Sequence, residues 1–173
     1  SHEVRTPMNG IVGLIDLVKL EGLNDRQVAW VNSMERSADA LLTIIDDILD
    51  FTKIESGKLS IAPRHFELRP CIDSVIQLFE EQAQNSSIAL TLDIEDTVPS
   101  VIVTDEGRLR QVITNLVGNA LKFTTEGQIT LVVSSSILSE KPAIRVTVTD
   151  TGIGIPEDQF DMVFARFQQI DAG

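Results

Sequence analysis

Val31, Met34, Ala38, Leu41, Ile45, Ile48 and Thr52 follow one another at alternating steps of three and four. That spacing keeps one stripe of a helix apolar over three heptads, as in the seam of a coiled coil or helical bundle. Leu42, Ile44, Leu49 and Phe51 widen the stripe. Upstream, Met8, Ile11, Ile15 and Val18 recur at helical spacing and predict a second amphipathic helix from His2 to about Leu20. Gly22-Leu23-Asn24-Asp25 is turn chemistry between them, with Asn24 or Asp25 placed to cap the longer helix. Two helices joined by a short turn make an antiparallel hairpin, which cannot cover this much apolar surface by itself. A second copy completing a four-helix bundle is the simplest solution, so residues 1–57 are expected to form a homodimer.

The pattern changes after Glu55-Ser56-Gly57-Lys58, where a Gly can end the helix. We therefore expect two modules, a helical hairpin at 1–57 and a larger unit at 58–173. In the second, alternating or β-branched runs predict strands near Ile88 to Ile94, Val101 to Val103, Ile129 to Ser134 and Ile144 to Thr149. Helical stretches fall at about Arg69 to Gln84 and Glu106 to Phe123. This order suggests an α+β chain, with the hairpin followed by a two-layer α/β sandwich whose helices cover one face of a mixed sheet.

Charge narrows the partners. Lys plus Arg total 14 against 26 for Asp plus Glu, and the net charge of -12 repels nucleic acid and anionic membrane surfaces. The excess is shared, with 5 basic and 10 acidic residues in 1–57 and 9 and 16 in the rest. No apolar run approaches the roughly 20 residues that span a bilayer. Cys71 is the only cysteine, which excludes an internal disulfide and a cysteine-based zinc site and fits a reducing, cytosolic compartment. A chain that starts at Ser1 and carries no signal peptide is expected to be a fragment of something longer.

Two segments carry chemistry. His2 is followed by Glu3, Arg5, Thr6 and Pro7, and Pro7 costs its helix a hydrogen bond close to the histidine. An exposed imidazole beside a carboxylate is a competent phosphoryl acceptor, since Glu3 can take the Nδ1 proton as Nε2 attacks phosphorus. Further along, Asp105 can cap a helix on which Asn115, Asn119 and Lys122 fall at i, i+4 and i+7, one face of an otherwise apolar segment. Polar groups that approach a core need partners, and nucleotide and metal would supply them. An Asn119 amide oxygen suits Mg²⁺ and Lys122 suits phosphate. Asp150-Thr151-Gly152-Ile153-Gly154-Ile155-Pro156 then follows a strand; its glycines admit a close ligand, and a buried Asp150 carboxylate can accept from an adenine amine. It lacks the third glycine of a dinucleotide fingerprint.

Ser1-His2-Glu3-Val4-Arg5-Thr6-Pro7-Met8-Asn9 resembles the H-box of sensor histidine kinases, and Lys53 to Leu59 resembles the end of their second dimerisation helix. Asn115 to Phe123, Asp150 to Pro156 and Phe164-Ala165-Arg166-Phe167 are similar, in that order, to the family's Asn-box, first Gly-box and Phe-box. The resemblance implies ATP and Mg²⁺ as cofactors, His2 as the phosphorylated residue and Glu3 as its base, with Thr6 positioning water for dephosphorylation. It further implies that Asp150 reads adenine, that Gly152 and Gly154 shape the pocket, and that Phe164 and Phe167 begin a lid. The partner it implies is a response-regulator receiver domain, in cis or in trans, and the location is the cytoplasmic portion of a sensor. Hydrolytic relatives such as gyrase and the heat-shock chaperones place a water-activating Glu where Asn115 stands, and a neutral amide cannot act as that base. Slow net hydrolysis is therefore expected. The family pattern continues beyond Gly173 with a second Gly-box, so a chain ending there is alternatively expected to be an inactive dimerisation and docking module. Cys71, His65, Trp30, Glu80 and Glu81 read as packing or solvated residues, with Trp30 near the bundle turn.

Overall fold

The structure, a computed structural model, describes residues 2–160, with side chains from Thr6 onward. It divides into two compact units, Ser1–Ser60 and Ile61–Gly173.

The first unit is a hairpin of α1 (His2–Lys19) and α2 (Asp25–Glu55). Of the two candidate caps, Asn24 is the one used. Its Oδ1 accepts from the Gln27 N–H while the Gln27 side chain accepts from the Asn24 N–H, both at 3.0 Å, which closes a capping box. At the other end Gly57 takes φ +65, and the Lys58 N–H reaches Lys53 O at 2.8 Å while the Gly57 N–H reaches Ile54 O at 3.0 Å. Those bonds satisfy carbonyls the helix leaves open, and the left-handed conformation they need is one Gly adopts cheaply. α1 continues unbroken through Pro7.

The apolar stripes divide between two jobs. Met8, Ile15, Val31 and Ala38 are buried where the helices meet, with Val12, Leu23, Leu42 and Ile45 packed against them. Ile11, Met34, Leu41 and Ile48, from the same 3–4 pattern, stay exposed. Trp30 does not pack as expected; it is 52% exposed, with the Arg26 guanidinium 4.9 Å from its ring centroid.

The second unit runs β1 (Arg64–Glu67), α3 (Leu68–Asn85), β2 (Ile88–Ile94), β3 (Val101–Thr104), α4 (Glu106–Phe123), β4 (Gly127–Leu138) and β5 (Lys141–Asp150). A 3-10 turn follows at Glu157–Gln159. β2 pairs in parallel with β4, and β4 pairs antiparallel with β5, giving a mixed sheet in the order β2-β4-β5. The strand expected at Val101 to Val103 does not join it. It forms a separate two-stranded sheet with β1, which the sequence reading had not marked. Ile129, Leu131 and Val133 alternate inward along β4 and are fully buried with Ile72 and Val75 of α3 and Ile113 and Val117 of α4. The helices thus cover one face of the sheet, while Thr91, Thr130 and Thr147 keep the other face polar.

Asp105 ties α4 to the start of the unit. Its Oδ1 accepts from the Arg108 N–H at 3.1 Å as the helix cap, and its Oδ2 accepts from the Ala62 N–H at 3.0 Å. The Ala62 bond first, and then the Arg108 bond, hold this carboxyl below its ordinary 3.8. A depressed folded-state value contributes stability above the unfolded value, and that contribution is lost as pH falls through the folded one. The stability gap between wild type and Asp105→Ala, measured as denaturant midpoints, is therefore expected to be full at neutral pH. It should narrow as pH drops below 3.8. A gap independent of pH would contradict the assignment.

Candidate functional site

α4 presents two faces because its sequence repeats at two registers. Ile113, Val117, Ala120 and Leu121 face the sheet and are buried. Asn115, Asn119 and Lys122 lie on the opposite, exposed stripe, flanked by the exposed Val112 and Leu116. The expectation that these polar groups approach the core is corrected here: solvent already covers them, so desolvation does not demand a partner. Their shared stripe remains, and it ends at Lys122, whose Nζ sits 5.0 Å from the Phe123 ring centroid.

Asp150 ends β5 opposite Ile129. Ile144, Val146 and Val148 pack against the core, so the two-residue period places Asp150 on the same helix-covered side of the sheet. The carboxylate lies past the end of that core and is exposed, contrary to the buried position expected. Its Oδ1 accepts from the Gly152 N–H at 2.9 Å, while Oδ2 makes no hydrogen bond among the described residues.

What joins β5 to α4 is the turn after Asp150. The Ile153 N–H donates to Phe123 O at 3.2 Å, and a Cβ at Gly152 would lie 2.3 Å from that same oxygen. Only a glycine lets the turn seat this deeply on the last carbonyls of the helix. Gly154 serves differently, holding φ +67 in open space. The structure therefore brings Asp150, Gly152 and Ile153 against the end of α4 that carries Lys122, with Asn119 and Asn115 on the preceding turns. A strand-end carboxylate, a close-approach glycine and an amide-and-ammonium stripe can together take an aromatic amine and a polyphosphate.

The residues expected to accept and handle phosphate belong to the other unit. His2 and Glu3 open α1, and their side chains lie outside the described ones; Thr6 is exposed one turn on. Phe164 and Phe167 lie outside the described residues. Among the described residues no group of three or more His, Cys, Asp or Glu is arranged to hold an ion. Cys71 is buried against α4, and burial pushes its thiol above the ordinary 9.0 although Arg110 beside it pulls the other way. That makes it an inert packing residue.

Sequence reasoning missed Thr151. Its Oγ1 accepts from the Gln128 N–H at 3.1 Å, and its own N–H donates to Gln128 O at 3.2 Å, pinning the Gly turn to the first residues of β4. A hydroxyl residue immediately after a strand and before a glycine was the available signal.

Residues 1–57 match the His Kinase A (phospho-acceptor) domain, and residues 104–173 match the histidine kinase-, DNA gyrase B- and HSP90-like ATPase family. The hairpin and the sandwich are thus the two parts of a protein-histidine kinase core, and the chain belongs to the sensor histidine kinase family. It is 45% identical over 173 residues to the signal transduction histidine-protein kinase BarA of Escherichia coli, aligning 99% of this chain with 19% of that protein. Full-length ShkA, solved in complex with AMPPNP, superposes with a TM-score of 0.78 at 31% identity, over 97% of this chain and 35% of that one. Histidine kinase ThkA in complex with response regulator protein TrrA gives 0.59 at 29% identity, over 97% and 48%. The chain spans about a fifth of the length of the E. coli relative.

Proposed function

We propose that this chain takes the γ-phosphoryl group of ATP onto His2 and passes it to an aspartate of a response-regulator receiver domain. The observation that carries the reading is the seating of the Gly152 turn on Phe123 O, which sets Asp150 beside the helix that bears Asn115, Asn119 and Lys122. In this reading Asp150 Oδ2 accepts from the adenine amine, Gly152 shapes the pocket by seating the turn on α4, Gly154 shapes it from open space, and Lys122 meets phosphate. Asn119 would offer its amide oxygen to Mg²⁺, which prefers hard oxygen ligands. When bound, Mg²⁺ neutralises charge that develops on the transferring phosphoryl group. ATP as ligand is supported by the AMPPNP complex of ShkA, and the receiver as partner by the TrrA complex of ThkA.

His2 Nε2 forms a bond to the γ-phosphorus while the bond from that phosphorus to the β–γ bridging oxygen breaks, and the oxygen leaves with its electron pair as part of ADP. Glu3 takes the Nδ1 proton, so the phosphoimidazole remains neutral at the ring. Thr6, one turn away, positions the water that dephosphorylates the receiver partner. Phe164 and Phe167 begin the lid over the nucleotide. We assign phosphotransfer and dimerisation to residues 1–57 and nucleotide binding to residues 58–173. The exposed Ile11, Met34, Leu41 and Ile48 are the surface through which two copies close a four-helix bundle. Sedimentation should then give a dimer at micromolar concentration; a monomer would contradict it. No helix among the described residues is long and apolar enough to cross a membrane. A cytoplasmic location fits the use of ATP and a receiver.

The reading is tested by where phosphate goes. With Asn115 in place of a carboxylate base, phosphate recovered on the protein should exceed that released to water during the first turnover. Rapid release of inorganic phosphate with none retained would instead favour an ATP-hydrolysing clamp.

A further inference from the structure

We propose that Thr151 is a positioning residue: through its hydroxyl bond to Gln128 it fixes the Asp150 carboxylate, and so sets a preference for adenine over guanine. The inference rests on the reading of this site as a nucleotide site. Two anchors follow Asp150 within three residues. On the helix side, the Ile153 N–H is held by Phe123 O. On the strand side, Thr151 makes a two-way contact with Gln128: Oγ1 accepts from the Gln128 N–H at 3.1 Å and lies 3.4 Å from Gln128 O, which also takes the Thr151 N–H.

The local sequence is shaped to admit this contact. Gly127 precedes Gln128 at φ +115, and a Cβ there would fall 2.2 Å from Thr151 Oγ1. A side chain at 127 would expel the hydroxyl. With both anchors in place, Asp150 Oδ1 is committed to the Gly152 N–H and only Oδ2 points its acceptor capacity elsewhere. A lone acceptor discriminates only where it is held still. Adenine offers an amine donor at the position where guanine offers a carbonyl acceptor, so a fixed carboxylate favours the first and repels the second. Loosening Asp150 weakens the match to ATP and relieves the repulsion of GTP.

The experiment measures the affinities of the intact protein for ATP and for GTP by calorimetry, in wild type and in Thr151→Val, Thr151→Ala and Thr151→Ser. Melting curves verify that each is folded. Removing the hydroxyl should weaken ATP binding by roughly fivefold, the scale of one exposed hydrogen bond, and leave GTP unchanged or slightly tighter. Thr151→Ser should behave as wild type. Equal losses for both nucleotides, or an unchanged ATP-to-GTP ratio, would overturn the proposal. Failure of both the Val and Ala proteins to fold would assign Thr151 to the fold and overturn it too. A wild-type protein that binds neither nucleotide refutes the site itself, an outcome distinct from an unaltered ratio.

Discussion

The His2→Gln protein is expected to carry no phosphate after incubation with ATP and Mg²⁺, while its ATP affinity stays within about twofold of wild type. Glutamine keeps polarity and approximate size but has no nitrogen lone pair available for attack on phosphorus, so loss of the acceptor removes the reaction rather than slowing it. The nucleotide contacts proposed above all come from Ile61–Gly173, and His2 lies in the other unit. Binding and transfer should therefore separate cleanly. Label at the wild-type level in His2→Gln would place the acceptor elsewhere, and a parallel loss of ATP binding would mean that His2 supports the fold.

Gly152→Ala should abolish most of the affinity that His2→Gln preserves. The new methyl would lie 2.3 Å from Phe123 O and 2.9 Å from Asp150 Oδ1. The first of these is backbone at the end of a packed helix and has nowhere to retreat. Relieving such overlap typically costs about 1–3 kcal/mol, here by lifting the turn off α4. ATP affinity should drop about tenfold or more, measured by calorimetry. Gly154→Ala provides the contrast, since its Cβ meets nothing within 4 Å and pays only for φ +67. An order of effects in which Gly154 matters more than Gly152 would show that backbone freedom, and not close seating, is what the site requires.

The hairpin was largely legible because its signals are local. The 3–4 spacing, the Asn24 turn and Gly57 each act within a few residues, and each appears where its chemistry directs. Which half of the stripe is buried was not legible, since Met8 and Met34 look alike until two helices meet. β1 was missed for the same reason: Arg64-His65-Phe66-Glu67 has no strong alternation and is a strand through pairing with Val101–Thr104, which is distant in sequence. The β4–β5 turn hid too. Ser139 and Glu140 take φ of 50 and 63, values usually supplied by Asn or Gly, so the hairpin overrides their preferences.

In the candidate nucleotide site the order of the motifs singled out the residues, but not their environment. Asn115, Asn119, Lys122 and Asp150 are exposed, and the polar stripe is a surface feature. Thr151 meets Gln128 and Gly127 through contacts between residues 23 or more positions apart, which periodicity cannot register. Asp105 was legible as a cap, whereas its bond to Ala62, 43 residues away, was not.

The central claim is transfer of phosphate to one imidazole, and its most direct test is to locate the label. After incubation with γ-labelled ATP and Mg²⁺, the protein should hold phosphate that is labile in acid and stable in base, and that maps to the peptide containing His2. Label that survives acid, maps to a serine or threonine, or never forms on a folded protein that binds ATP would contradict the account.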